Sequence, residues 1–152
     1  MKTEETIMKK EKTEELLDIL KKTKGKSDLS KYIDSRNLDK ENIELSRYIL
    51  KVCENRGYSK SDIIRNADIH RTYGYQILNG QKSPSRDKLL QICIGNKFTL
   101  EETNRTLTMA NLGILYAKDA RDSILIYSLV NKLNLINTNT ILDDHGFEVL
   151  GE

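Results

Sequence analysis

The two cysteines and two histidines are the chain's candidate nucleophiles and soft metal ligands. None of them belongs to a CxxC pair or to a Cys/His cluster with the spacing of a metal site. Cys53 and Cys93 each lie within an apolar helical pattern, so we expect two buried, reduced thiols. We expect His70 to act as a helix cap or backbone contact, and His145 to end a helix. No metal site is therefore predicted.

Carboxylate pairs that could serve in acid–base catalysis occur at Asp119 and Asp122 and at Asp143 and Asp144. A general acid or base needs a reacting group within hydrogen-bonding reach. The sequence has no glycine-rich phosphate loop, no HExxH, no GxSxG and no nucleophile with a plausible base. These aspartates are better explained as charges at helix ends, so we expect neither an enzyme nor a bound cofactor.

The elements that position these residues are predicted to be helices. The chain of 152 residues is 38% hydrophobic and 32% charged, with one proline and eight glycines. That composition suits a single, mostly helical domain, with or without an appendage. No apolar run approaches the roughly 18 residues of a membrane span, and no signal peptide opens the chain. We expect an all-α cytoplasmic protein that does not contact a membrane.

The charge is unevenly distributed along the chain, although the net charge is only +2. Residues 1–38 carry 10 basic and 8 acidic groups, residues 39–98 carry 11 and 7, and residues 99–152 carry 4 and 8. A basic middle followed by an acidic tail indicates that a polyanionic partner would meet the middle.

The stretch RTYGYQILNGQKSPSRDKLL, residues 71–90, predicts two helices and a short loop. The first helix opens at His70 or Arg71, carries Ile77 and Leu78 on its inward face, and ends at Gly80. Polar residues follow it, and Ser85 is expected to cap the second helix.

Helical periodicity and capping patterns predict the remaining elements. Ser59 and Asp62 form one expected capping box, and Thr99 and Glu102 form another. The predicted helices outside the central stretch cover residues 13–22, residues 27–35 with Ser27 as cap, residues 39–56, a short helix after Ser59, residues 99–110, residues 119–132, and a last helix ended by Gly146. The helix at residues 27–35 is expected to bury Leu29, Tyr32 and Ile33.

The segment YSKSDIIRNADIHRTYGYQILNGQKSPSRDKLLQIC, residues 58–93, resembles the helix-turn-helix domain of the phage-repressor and Cro type. Its most specific elements are Ile77, the Asn79-Gly80 pair, the amide and basic residues that follow, Pro84-Ser85, Asp87, and the apolar pair Leu89-Leu90. The resemblance covers residues 40–111 at most. It implies a lambda-repressor-like domain at residues 39–111, between a helical N-terminal extension, residues 1–38, and a helical tail, residues 112–152, for packing or dimerisation.

The sequence departs from the family pattern at three positions. Family members usually carry a small residue at position 64 and a bulky one at position 74, where this chain has Ile64 and Gly74. These two positions pack against each other in the family, so the exchange roughly conserves volume. Asp68 replaces the usual glycine of the turn, and aspartate tolerates the left-handed backbone region better than most residues.

The resemblance also assigns roles to side chains of this segment. Helices of this type lie in the DNA major groove, where Arg pairs with guanine, Gln pairs with adenine and the Thr methyl contacts thymine. We expect Tyr73 to pack rather than to read bases. The implied base-reading residues are Arg71, Thr72, Tyr75 and Gln76, and the implied phosphate contacts are Lys60, Ser61, Asn79 and Lys82.

Residues 100–115 align with residues 135–150 at an offset of 35. The identical pairs are Leu100/Leu135, Thr103/Thr138, Asn104/Asn139, Leu107/Leu142 and Leu115/Leu150. These identities indicate either a duplication or two helices with similar caps, and the sequence alone favours similar caps.

The function expected from these observations is sequence-specific binding of double-stranded DNA by a transcriptional regulator, acting as a homodimer. The alternative is a protein-interaction module with the same fold, antitoxin-like or a regulatory adaptor, whose helix face with Tyr73 and Tyr75 binds a partner protein. The modest net charge leaves this alternative open.

Overall fold

The computed structural model describes residues 14–36 and 40–151, with the side chains of residues 14–30 and 41–151. Every regular element among these residues is a helix, as the composition predicted. The chain forms two compact units, residues 1–38 and residues 39–152. No helix within the described ranges is long and apolar enough to cross a membrane.

The described part of the first unit contains helical residues 14–22 (α1) and α2 (Gly25–Arg36). The prediction that Ser27 caps the second helix was wrong, because Gly25 adopts φ +80° and the helix begins there. A positive φ suits glycine and turns the chain immediately after α1. Leu29, expected to be buried, is 43% exposed. The expected burial of Tyr32 and Ile33 lies outside the described side chains.

The second unit contains seven helices within residues 40–151. Their bounds agree with the predicted elements to within a few residues. They are α3 (Lys40–Glu54), α4 (Lys60–Asn66), α5 (Arg71–Leu78), α6 (Arg86–Gly95), α7 (Leu100–Met109), α8 (Ala120–Val130) and α9 (Leu135–Asp144).

Local capping explains where most of these helices begin. The predicted capping boxes are confirmed: Ser59 and Asp62 exchange hydrogen bonds at the start of α4, and Thr99 and Glu102 do so at the start of α7. The hydroxyl of Ser85 accepts a hydrogen bond from the backbone N–H of Lys88, which confirms the predicted cap of α6.

One apolar core joins α3, α4, α5, α6 and α7. Its fully buried members include Ile49, Ile63, Leu90 and Leu107. Both cysteines are buried and free, as predicted. Burial raises the pKa of Cys53 and of Cys93 to about 12, so both remain protonated thiols at neutral pH.

The tail packs on the same unit. α8 contacts α7, and α9 contacts both α8 and α6. Leu125, Leu129, Leu142 and Leu150 are buried. The tail therefore completes the core of residues 39–152 and does not stand apart from it.

Candidate nucleic-acid interface

The pair formed by α4 and α5 is held together by the turn at residues 67–70. Asp68 adopts φ 52°, the left-handed conformation that the family resemblance implied for this position. The backbone N–H of Ile69 then bonds to the carbonyl of Ile64, and the Ile69 side chain is buried. His70 occupies the N-cap position of α5, as expected, but its side chain forms no capping hydrogen bond. The turn alone sets the start of α5.

The close approach of α5 to α4 depends on Gly74. A Cβ atom built on Gly74 would lie 2.7 Å from Cγ1 of Ile64, well inside van der Waals contact. The predicted contact between positions 64 and 74 is therefore confirmed. The bulky residue fills the interface from α4, and the small one lets the backbone of α5 move close.

The sides of α5 differ sharply in burial. Gly74, Ile77 and Leu78 are buried, and Tyr73 packs partly buried against the core, as predicted. The opposite side carries four of the predicted site residues. Arg71 and Thr72 are exposed there, and Tyr75 and Gln76 are half-buried. Tyr75, like Tyr73, also packs partly against the core. Positions 71, 72, 75 and 76 share one face of a helix.

Arg71 and Tyr75 form a stacked pair on this face. The guanidinium carbon of Arg71 lies 5.7 Å from the centroid of the Tyr75 ring, within the range of a cation–π interaction. A stacked guanidinium keeps its in-plane N–H donors available. The pair can therefore offer hydrogen bonds in a preferred direction.

The predicted phosphate contacts lie around this face. The ammonium of Lys60, at the start of α4, donates to Oδ1 of Asn79 at 3.0 Å, just beyond the end of α5. Ser61 and Lys82 are exposed. A shallow depression between α4 and α5 brings Ser61 beside Arg71 and Tyr75.

Positive charges outnumber negative ones on this surface, where Asp68 is exposed in the turn before α5. Helix α5 contains no acidic residue, and Asp62 is engaged by its own helix and by Arg65. The backbone hydrogen bond from Ser59 is the largest contribution that lowers the pKa of Asp62. Lys60, Arg71 and Lys82 remain as exposed positive charges.

Two side chains near the face were not among the predicted site residues. Arg65 lines the depression between α4 and α5, and Gln81 is exposed next to Lys82. The outward position of Arg65 in an amphipathic helix could have identified it. Gln81 is the amide of the pair that follows Asn79-Gly80. Across residues 14–36 and 40–151, no group of three or more His, Cys, Asp or Glu could hold a metal ion.

Comparison with known proteins gives no relative: no family model, no curated protein and no solved structure matches the chain.

Proposed function

We propose that residues 39–111 form a lambda-repressor-like helix-turn-helix domain that binds double-stranded DNA sequence-specifically in transcriptional regulation. The observation that carries the proposal is the outward face of α5, where Arg71 and Thr72 are exposed and Gln76 is half-buried. An α-helix with its side chains is about 10–12 Å across, which fits the major groove's width of about 12 Å. The turn before α5 is short, and the first residues of α5, Arg71 and Thr72, are exposed at the N-terminal end of the helix.

The chemistry of the face supports base reading. Arg71 can donate two hydrogen bonds to guanine, and the Gln76 amide can pair with adenine. The methyl group of Thr72 can contact the methyl group of thymine. Tyr75 supports Arg71 by stacking and borders the same surface.

The flanking residues support backbone contacts. Lys60 and Asn79 bind each other at one side of the face, and their remaining polar groups can meet phosphate oxygens. Ser61 and Lys82 supply further donors nearby. Such contacts set the position of the domain on the duplex and carry no base preference.

A second candidate function is recognition of a partner protein through the same face. The stacked Arg71 and Tyr75 favour it, because Arg and Tyr are enriched among the residues that dominate protein–protein interfaces. Binding of this kind would not need Lys60 or Lys82.

Selection from a random duplex library with the full chain tests the proposal. We expect enrichment of a short motif by the natural protein and loss of that enrichment with Arg71→Ala. Binding without any enriched motif, unchanged by Arg71→Ala, would contradict base reading. Capture of a protein partner that depends on Arg71 and Tyr75, with no DNA selection, would support the second candidate.

A further inference from the structure

A groove lies between α3 and α7 in the second unit. Its volume is about 450 Å³, within the range of about 300–1,000 Å³ that is usual for small-molecule sites. It shares no lining residue with the depression between α4 and α5, so it is separate from the proposed DNA-binding face. The polar and charged side chains that line it are Tyr48, Lys51, Asn55, Arg56, Glu102 and Arg105.

Three positive charges and one negative charge line this groove. Lys51 and Arg105 are exposed, and Arg56 and Glu102 are half-buried. Among the described residues, neither Lys51 nor Arg105 has an ion-pair partner. A cleft lined by an excess of one sign of charge raises the local concentration of the opposite ion. The lining therefore attracts an anion.

The carboxylate of Glu102 is already engaged by two donors. Arg56 donates from Nη2 to Oε1 at 2.6 Å, and the backbone N–H of Thr99 donates to the same oxygen at 2.9 Å. Burial opposes the ionisation of Glu102, but these hydrogen bonds outweigh it and lower the pKa of the carboxyl. Glu102 thus serves the start of α7 and Arg56, and it does not pair with Lys51 or Arg105.

Arg56 keeps one donor without a partner. Its Nη1 atom is buried, and no described atom accepts a hydrogen bond from it. The guanidinium carbon lies 5.6 Å from the centroid of the Phe98 ring, which holds the group beside the groove. A buried donor of a charged group is costly to leave unsatisfied. A small rotation of the guanidinium would bring Nη1 toward the groove, where an oxyanion could accept from it.

Further hydrogen-bond donors line the groove. The guanidinium carbon of Arg105 lies 5.2 Å from the centroid of the Tyr48 ring, and stacking leaves its in-plane N–H groups available. Burial, together with the negative charge of Glu102, raises the pKa of Tyr48, so the hydroxyl stays protonated and can donate. Asn55, just beyond the end of α3, adds an exposed amide.

We propose that the groove between α3 and α7 binds the oxyanion group of a small phosphorylated or carboxylated molecule. Arginine and lysine form short, charge-assisted hydrogen bonds with phosphate and carboxylate oxygens. Lys51 and Arg105 hold the oxyanion, Asn55 donates to it, and Arg56 contributes the donor that otherwise has no partner. This site goes beyond DNA recognition and does not rest on it.

The rest of the ligand extends along α7. A second depression shares Tyr48, Glu102 and Arg105 with the groove and adds Glu101, Thr108 and Met109. Glu101 is exposed there and would repel a second anionic group. The part of the ligand beyond the oxyanion is therefore uncharged, and phenyl phosphate and benzoate are suitable probes with one common remainder.

Titration of the full chain, followed by NMR at constant ionic strength, tests the site. Both probes are compared with benzamide, which has the same ring and no charge. We expect saturable shifts of the Asn55 side-chain amide and of the Nε–H groups of Arg56 and Arg105, with no response to benzamide. Saturation by one anion alone supports the site and assigns the ligand class as phosphate or carboxylate.

Charge-removing variants show whether the groove holds the anion. Lys51→Gln and Arg105→Gln should each weaken binding by about tenfold or more, because each loses a charge-assisted hydrogen bond. Both side chains are exposed, so the fold should survive, and the backbone spectrum checks this. Arg47→Gln removes the same charge from an exposed residue of α3 that does not line the groove, and it should bind like the natural protein.

Three results would overturn the proposal. They are shifts that rise without saturation for both anions, affinities unchanged in both Lys51→Gln and Arg105→Gln, and shifts confined to the side-chain amides of Gln76 and Asn79 at the α5 face. Anion binding in the groove together with failed duplex selection would leave this site standing and remove the base-reading role. Duplex selection without anion binding would do the reverse.

Discussion

The backbone of Gly74 lies against the side chain of Ile64, so closely that a Cβ at position 74 would come within 3.1 Å of Cγ1, Cγ2 and Cδ1 of the isoleucine. One space between α4 and α5 is thus shared by two residues. The size of either residue sets what the other position can hold.

A smaller side chain at position 64 and a larger one at position 74 should have coupled effects on the free energy of unfolding. Ile64→Ala alone leaves a cavity and should lower the free energy of unfolding by about 2–5 kcal/mol. Gly74→Ala alone overpacks, at a cost of about 1–3 kcal/mol, offset by roughly 1 kcal/mol of better helix propensity. In the double variant the methyl group at position 74 fits the space that the Ile64 side chain left. The loss of unfolding free energy should therefore be smaller than the sum of the two single losses by about 0.5–3 kcal/mol.

Urea melts of the four proteins measure this coupling. Gly113→Ala is the control, because a Cβ there meets no atom within 4 Å and its effect should simply add to that of Ile64→Ala. Additive losses at positions 64 and 74 would mean that the two side chains do not share a space.

The ion pair of Arg86 and Asp122 should matter more than that of Arg65 and Asp62. The Asp122 side chain is 9% exposed, and its partner Arg86 is 29% exposed. Asp122→Ala removes the carboxylate partner of a partly buried guanidinium and should cost about 3 kcal/mol. This is the low end of the range for buried pairs, because Arg86 keeps some solvent and its hydrogen bonds to the carbonyls of Gly113 and Ile114. Arg65→Ala, at a side chain 72% exposed, should cost less than about 1 kcal/mol. Equal losses of unfolding free energy for Asp122→Ala and Arg65→Ala in denaturant melts would argue against a stabilising role for the ion pair of Arg86 and Asp122.

The carboxylate of Asp122 should make the free energy of unfolding depend on pH in the acid range. Burial opposes the ionisation of Asp122, but hydrogen bonds from Arg86 and from the backbone N–H of Tyr116 outweigh it and lower the pKa of this carboxyl. A pKa lower in the folded state means that the stabilisation is present above the unfolded value, near ~3.9, and is lost as pH falls through the folded value. The difference in unfolding free energy between the natural protein and Asp122→Asn should therefore shrink below about pH 4. A difference that stays constant in acid would assign the effect to packing.

DNA binding should separate two kinds of side chain. Lys60→Ala and Lys82→Ala should weaken binding to every sequence alike, and each should reduce the slope of log affinity against log salt by about one unit. Arg71→Ala and Gln76→Ala should cost about 1–3 kcal/mol on the selected site and much less on random duplex. Fluorescence anisotropy on both duplexes at several salt concentrations makes the comparison. Equal losses on both duplexes for all four variants would remove the base-reading assignment.

The sequence predicted the features that depend on neighbouring residues. The capping boxes at Ser59 and Thr99 need residues three apart. The left-handed conformation of Asp68 was implied by the family resemblance. The prediction of the contact between Ile64 and Gly74 came from the family resemblance. These features suffice to outline the surface of α5.

The sequence did not predict contacts between residues that lie far apart along the chain. Asp122 lies in the first turn of α8, as predicted for a helix-end charge, but its burial and its ion pair with Arg86, 36 positions earlier, were not predicted.

The reaction of the two buried cysteines with a thiol reagent can report local opening of the protein. Because Cys53 and Cys93 are enclosed and stay protonated, a thiol reagent can reach them only when α3 or α6 separates from the core. Labelling rates at neutral pH without denaturant would therefore measure rare local openings that equilibrium melts average away. A single-cysteine variant of each type would time the two helices independently, and adding the selected duplex would show whether bound DNA slows either one.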